Sequence, residues 1–311
     1  MKKILVTGGN GLVGSAIQSM TTDYPEFKFY FTTHKDADLT NKRHVKGLFD
    51  METPDYIIHT AARVGGIGKN LTAPAEQFYH NILMNTFVID EAYQHGVEKL
   101  LAFSSVCAFP NDATIIKEDI LHNGPPYYAH ESYAYAKRMV DIQIKSYKTQ
   151  YGVKYSSVLP VNIFGEHDNY DLETGHVVPS LVRKCHNAKF TNRPFQVWGT
   201  GIARREFCYA KDLARICLEL LKMENDIPSL LIVSNSKEIS IKEVVEKITR
   251  YFEYDNIEWL SDKPDGQLSR QSDTSRFHST FPDFKFTDID VALKNSVDWY
   301  IDNYPNVRGI K

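Results

Sequence analysis

Ser105, Tyr133 and Lys137 carry the functional groups with which a protein can exchange a proton with a carbonyl oxygen. Tyr133 and Lys137 stand four residues apart in ESYAYAKRM, which on a helix places them one turn apart on one face. A free phenol titrates at about 10, too high to work at neutrality, but an adjacent ammonium favours the phenolate and brings that value down. The offset alone is weak evidence, because Tyr24 and Lys28 in YPEFK share it in a stretch that reads as a surface loop. Its weight depends on the elements around it.

Short β-branched or apolar runs alternate along the chain with longer segments of helical period, the pattern of a parallel sheet covered by helices. KILVTG, KFYFTT, DYIIHTAA, KLLAFSSV and YSSVLPVNIFG read as strands, with helices at 12–21, 41–52, 74–95 and 131–150. This βαβ series predicts an α/β fold with a Rossmann-type doubly wound parallel sheet. In that sheet LLAFSSVCAFP leaves the C-terminal edge at Ser104 to Cys107, the edge where open α/β sheets bind ligands. Past residue 165 the rhythm breaks at GEHDNYDLETGHVVP. Helices near 176–188 and 209–224, a strand at SLLIVSNS, and helices near 240–253 and 288–303 follow, with the loop SDKPDGQLSRQSD before the last. The expected organisation is a dinucleotide-binding domain at 1–165, to which segments near 206–235 return, and a smaller, discontinuous C-terminal α/β substrate lobe over 166–311.

TGGNGLVGSAI follows the first strand and opens the first helix. Gly9, Gly11 and Gly14 match G-x-G-x-x-G, and Gly8 adds the G-x-x-G-x-x-G variant. Glycines here let the backbone turn sharply and approach a pyrophosphate held by free amides at the helix start. An NAD site usually ends its second strand in an acid, about 20 residues after the glycines. Here the strand ends in Thr32-Thr33-His34-Lys35, and the lysine suits the 2′-phosphate of NADP, while Asp36 and Asp38 leave NAD open. A nicotinamide completes the proton device: the cofactor carries the hydride, Ser105 binds the carbonyl, Tyr133 exchanges a proton with its oxygen, and Lys137 anchors the ribose while lowering the phenol.

Length and charge set further bounds. The 311 residues are ample for a large core, and 36 basic against 39 acidic residues, mixed along the chain, form no basic stripe for nucleic acid. Cys107, Cys185, Cys208 and Cys217 show neither CxxC nor paired histidine spacing, so no metal site and no disulfide framework is expected. The apolar run in MKKILVTGG is too short for a signal segment, and no stretch is long enough to span a bilayer. The chain reads as soluble and cytoplasmic.

KDADLT, AARVGGI, SSVCAFP, HNGPP, SYAYAKRM, PVNIFGEHDN, GHVVPSL, VWGTG, ARREF and KPDGQ are the stretches by which the chain resembles the extended short-chain dehydrogenase/reductases and, within them, the GDP-L-fucose synthase family. The likeness covers nearly the whole chain. It implies NADPH-dependent epimerisation of GDP-4-keto-6-deoxy-D-mannose at C3 and C5, then reduction at C4, with Ser105, Cys107, Tyr133, Lys137 and His176 as catalytic residues. Cysteine would be the base and histidine the acid. A thiol of ordinary pKa, about 8.5, needs a neighbouring cation to serve as base, whereas a histidine at about 6.5 is already poised.

The same resemblance implies that Asn10, Leu12 and Val13 join the four glycines at the cofactor, with His34, Lys35, Asp38, Leu39, Ala61, Ala62, Lys137, Pro160, Val161, Asn162, Ile163 and His176. It assigns Lys184, Trp198, Arg205 and Asp265 to the nucleotide sugar, Arg205 as a bidentate clamp on its pyrophosphate. It also implies a homodimer. Val161 departs from the family, which often has threonine there, and removes a hydroxyl near the expected nicotinamide site. Dehydratases of the superfamily need an acid shortly after the serine or threonine, and Val106-Cys107-Ala108-Phe109 offers none. Two other readings stand beside this one: an epimerase-reductase acting on a 3-deoxy GDP-keto-sugar, as in colitose synthesis, and a non-catalytic NADP-binding module.

Overall fold

The computed structural model describes every residue except Asp226, Pro264, Gly266, Gln267 and Lys311, so three of the five residues of KPDGQ lie outside the described residues. The first half runs β1 (Lys2–Thr7), α1 (Leu12–Gln18), β2 (Phe27–Thr32), α2 (Lys42–Glu52), β3 (Tyr56–His59), α3 (Ile67–Thr72), α4 (Pro74–Gln94), β4 (Lys99–Phe103), β5 (Ile115–Ile116), α5 (Glu131–Tyr151) and β6 (Lys154–Pro160). The second runs β7 (Asn162–Phe164), α6 (Val177–Thr191), β8 (Phe195–Trp198), β9 (Arg204–Tyr209), α7 (Ala210–Lys222), β10 (Leu230–Val233), β11 (Glu238–Ser240), α8 (Ile241–Phe252), β12 (Ile257–Leu260), β13 (Gln271–Ser272), α9 (Ser275–Thr280) and α10 (Ile289–Asn303).

Six strands form one sheet in the order β2-β1-β3-β4-β6-β10, every neighbouring pair parallel. Both faces are covered, so β3 and β4 are buried at every residue. The two-residue period of a strand sorts the apolar side chains between those faces. Ile4, Val6, Ile58 and Leu101 pack with α1 and α7, whereas Leu5, Ile57 and Leu100 pack with α2, α4 and α5. From β1 the chain moves outward to β2 and then crosses back to β3 on the other side, leaving a switch point at the C-terminal ends of β1 and β3.

YSSVLPVNIFG, read as one strand, is two. Pro160 has no amide hydrogen with which to continue a ladder; Val161 N still donates to Val233 O at 3.2 Å, and Asn162 is already in register with Phe207 of another sheet. β7 therefore joins β9 and β11, in the order β11-β9-β7. SLLIVSNS supplies β10, paired with β6 at the edge of the large sheet, and α7 shares its core with α1. A second core gathers α6, α8, α10, β8 and β9 around Phe195, Val245, Leu293 and Tyr300. Ser240 and Glu243 start α8 with a reciprocal capping box. Among the described residues no helix is long and apolar enough to cross a membrane.

Candidate active site

The turn between β1 and α1 is built so that only glycine fits. Gly8 has φ +73°, Gly9 N donates to Thr32 O at 2.8 Å, and Gly11 N donates to Gly8 O at 2.9 Å. A Cβ on Gly14 would stand 2.4 Å from Gly8 O and 2.6 Å from Gly9 O, and one on Gly9 would stand 2.9 Å from Phe31 Cβ. Side chains are absent where a dinucleotide's diphosphate would approach, so these residues fit that group. Leu12 and exposed Asn10 line the same turn, whereas Val13 and Leu39 bury their side chains in the core and have only backbone to offer a ligand.

Past β2, two acids are committed to their own loops. Asp36 accepts from Thr33 N at 2.7 Å and Thr33 Oγ1 at 2.8 Å; Asp38 accepts from Thr40 Oγ1 at 2.7 Å and Thr40 N at 2.9 Å. Those bonds hold both carboxyls below the usual carboxylate range. His34 and Lys35 are exposed at the same corner. A 2′-phosphate would therefore meet cationic and imidazole side chains there. Ala61 and Ala62 follow β3, and Pro160 to Ile163 form the junction of β6 and β7, where Val161 is 5 % exposed and packs into the apolar core.

At the end of β4 the sheet edge carries the proton chemistry. Ser104 N donates to Val158 O at 2.9 Å, and Ser104 Oγ donates to Lys137 O at 3.1 Å, tying the strand end to α5. Ser105 Oγ accepts from Cys107 N at 3.2 Å and so caps the short 3-10 turn Val106–Ala108. The Tyr133 phenol lies near the same hydroxyl. Burial pushes that phenol well up, Cys107 adds to the rise, and Ser105 opposes it. Lys137 Nζ donates to Phe103 O at 2.8 Å, and burial brings the ammonium down to about 8. The lysine thus rests on the strand carbonyl, and the phenol keeps its proton at neutrality. Beneath it His59, which sequence reasoning passed over, is buried between Thr7 Oγ1 at 2.7 Å and Asn85 Oδ1 at 3.1 Å. Burial and then Lys137 lower its imidazole to about 3, so it stays neutral.

Cys107 is half-buried, while Cys185, Cys208 and Cys217 are buried. Burial raises the Cys107 thiol; the Ser105 hydroxyl and the Arg270 guanidinium pull against that rise. A thiol serving as base would need a neighbouring cation, and Arg270 supplies positive charge here; sequence reasoning missed it 163 positions away, where the only signal was that requirement. His176 is the N-cap residue of α6, presented by a compact loop in which Asp171 accepts from Glu173 N, Thr174 N and Thr174 Oγ1. Its surface is exposed, yet protein encloses enough of the ring to lower its pKa, with Arg308 adding to the effect. At rest the thiol therefore holds a proton and the imidazole does not.

In the second lobe Lys184 Nζ lies 5.1 Å from the centre of the Trp198 ring, whose face is largely exposed. Desolvation lowers both Lys184 and Arg205. Asp265 has its two oxygens on the turn after β8: Oδ1 accepts from Thr200 N at 2.8 Å and Gly201 N at 3.2 Å, and Oδ2 accepts from Thr200 Oγ1 at 2.8 Å. It ties down the turn that follows Trp198. Arg183 is spent on the carbonyls of Tyr170 and Gly309, and Arg204 on Glu238 O and Glu243.

The model of the NAD dependent epimerase/dehydratase family matches residues 4–233. The chain is 38% identical to the GDP-L-fucose synthase of Dictyostelium discoideum, over 99% of this chain and 98% of that one. It is 28% identical to the GDP-L-colitose synthase of Yersinia pseudotuberculosis, over 98% and 99%. Among solved structures it is similar to a GDP-L-fucose synthetase from Naegleria fowleri bound to NADP, with a TM-score of 0.93 and 35% identity, covering 99% of this chain and 95% of that one.

Proposed function

The chain belongs to the NAD dependent epimerase/dehydratase family and, within it, to the GDP-L-fucose synthases, and on that premise we propose that it converts GDP-4-keto-6-deoxy-D-mannose to GDP-L-fucose with NADPH, epimerising C3 and C5 before reducing C4. The observation that carries this reading is the meeting of Ser105, Cys107 and Tyr133 at the end of β4, with Lys137 one helical turn from the phenol.

Ser105 and Tyr133 hydrogen-bond the ketone oxygen, which makes the hydrogens at C3 and C5 acidic enough to leave. Because at rest the thiol is protonated and the imidazole is not, before each inversion the thiol yields its proton to solvent and the imidazole takes one up. The Cys107 thiolate then removes the hydrogen, the His176 imidazolium delivers a proton to the opposite face, and both reload through solvent for the second carbon. For the last step Tyr133 starts protonated, as its environment favours, and gives that proton to O4. When bound, NADPH supplies the hydride that C4 receives. The glycine turn and Lys35 would hold it at one end and Lys137 at the ribose. Arg205 and Lys184 face the pyrophosphate, with Trp198 beside them. Incubation in deuterated water with sugar and NADPH tests the whole: cofactor oxidation with deuterium at C3 and C5 is expected, and oxidation without label at either carbon leaves a plain ketoreductase. Faster turnover of the 3-hydroxy than of the 3-deoxy sugar separates it from a colitose-type enzyme.

A homodimer fits the exposed Phe78 and Tyr79 of α4 and Ile142 of α5, apolar groups on two helices that pack together on one flank of the sheet. Light scattering should give twice the chain mass, falling toward one chain in Tyr79→Lys with Ile142→Glu.

A further inference from the structure

Cys107 rides on the 3-10 turn Val106–Ala108, and two guanidinium groups grip that turn from different elements. Arg138 of α5 donates from Nε to Ala108 O at 2.9 Å and from Nη1 to Gly124 O at 2.9 Å. Arg270, just before β13, donates to Val106 O at 3.4 Å and to Pro110 O, and its guanidinium lies 6.0 Å from the centre of the Phe109 ring. Its Nε is buried and has no acceptor among the described residues.

Several bonds hold Arg270 there. β13 pairs in parallel with β5, Gln271 opposite Ile115 and Ser272 opposite Ile116. Glu238 Oε1 accepts from Ser269 Oγ at 2.6 Å and from Arg270 N at 3.3 Å, and Glu206 Oε1 accepts from Ser272 N at 2.9 Å. The groups facing the thiol are the Ser105 hydroxyl from its own turn, the Tyr133 phenol from α5, and Arg270 from the C-terminal segment. Asp112 is the acid whose charge reaches Arg270 besides the thiol itself.

We propose that Arg270 is a positioning residue for Cys107: it braces the turn that carries the thiol and holds positive charge where the thiolate forms. The inference rests on the reading of Cys107 as the base of epimerisation. The physical reason is that the guanidinium gripping the carbonyls on either side of Cys107 has a buried N–H left over, and a nearby charged donor favours the anionic form of a thiol.

The test is alkylation of Cys107 by iodoacetamide across pH, without sugar or cofactor, read at the Cys107 peptide by mass spectrometry. The buried Cys185, Cys208 and Cys217 serve as slow internal references. Arg270→Gln should move the midpoint up by about one pH unit, so that alkylation on the acid limb slows about tenfold. Arg270→Lys should restore most of it, and Arg138→Lys, which loosens the same turn from its other side, should move it much less. With sugar present, Arg270→Gln should lower kcat for deuterium exchange more than it raises KM. An unmoved midpoint with a raised KM overturns the proposal and makes Arg270 a contact for the substrate's anion. Equal shifts in the Arg138 and Arg270 variants overturn it too, as a general loosening of the turn. A shifted midpoint in a chain that turns over no GDP-sugar upholds the role of Arg270 and defeats the proposed function, so the two failures are separable.

Discussion

Burial sets most of the proton inventory at the residue scale: it raises Tyr133 and Cys107 and lowers Lys137 and His176. A phenol that keeps its proton suits the reductive direction, so Tyr133→Phe should cut C4 reduction by about 10²- to 10⁴-fold with little change in sugar affinity, measured by NADPH oxidation and by titration of the product nucleotide. Cys107→Ser should abolish deuterium incorporation at C3 and C5 while NADPH oxidation on the keto sugar persists. In the parent, exchange should rise as pH climbs past neutrality, because a raised thiol ionises later than an ordinary one. Lys137 gives a stability signature. Its ammonium falls from 10.5 to about 8, so the unfolded chain binds the proton more tightly and folding is penalised wherever that proton is present. The penalty is complete below about pH 8 and gone above the unfolded value. Relative to Lys137→Met, the parent should therefore gain stability on the order of 3 kcal/mol between those limits, read by urea denaturation at each pH.

Elements explain why equal spacings differ in meaning. Tyr24 and Lys28 share the four-residue offset, but Tyr24 precedes β2 and bonds Glu219 at 3.0 Å, while Lys28 lies in the strand over the Tyr30 ring. Only a helix leaving the C-terminal edge of the sheet makes the offset useful. The first glycine turn is as strict: Gly14→Ala would force a methyl against two backbone carbonyls, and dinucleotide binding, followed by fluorescence, should be lost while the far-ultraviolet spectrum is kept. Asp265→Ala frees Thr200 and Gly201 and should raise KM for the nucleotide sugar several-fold with kcat nearly unchanged, since the carboxylate holds the turn that follows Trp198. The parallel sheet was legible because its strands carry apolar runs spaced by amphipathic helices, β3 and β10 included although each has only four residues. β5, β8, β12 and β13 were not, because each is short and partly exposed, and their partners lie far along the chain. Arg270 escaped for the same reason: pairing between β5 and β13, rather than spacing, delivers it to the thiol. The individual lengths of α6 and α7 came within a few residues, since each carries a full apolar stripe.

For the whole molecule, the question is what keeps two cores acting as one. We propose a division in which residues 1–165 with 206–235 form the dinucleotide unit and the remainder forms the sugar lobe, and Glu206 lies on the seam. It is 2 % exposed; Oε2 accepts from Ser234 Oγ at 2.7 Å just past β10, Oε1 accepts from Ser272 N at 2.9 Å in β13, and its carbonyl accepts from Asn162 Nδ2 at 2.8 Å at the junction of β6 and β7. One carboxylate thus joins the edge of the large sheet to the strand that follows Arg270. Glu206→Ala would leave a hydroxyl and an amide buried without acceptors, each costing about 1–3 kcal/mol, and β13 would lose its hold. The expected result is a loss of about twice that unit cost in urea unfolding, together with slower alkylation of Cys107 on the acid limb as Arg270 drifts from the thiol. Glu206→Gln keeps one acceptor and should lose less on both measures. Equal stability for parent and Glu206→Ala would place the coupling elsewhere, in the apolar packing of β7 and β9 alone. A second unfolding step in Glu206→Ala, absent in the parent, would show instead that this carboxylate is what makes the two cores melt together.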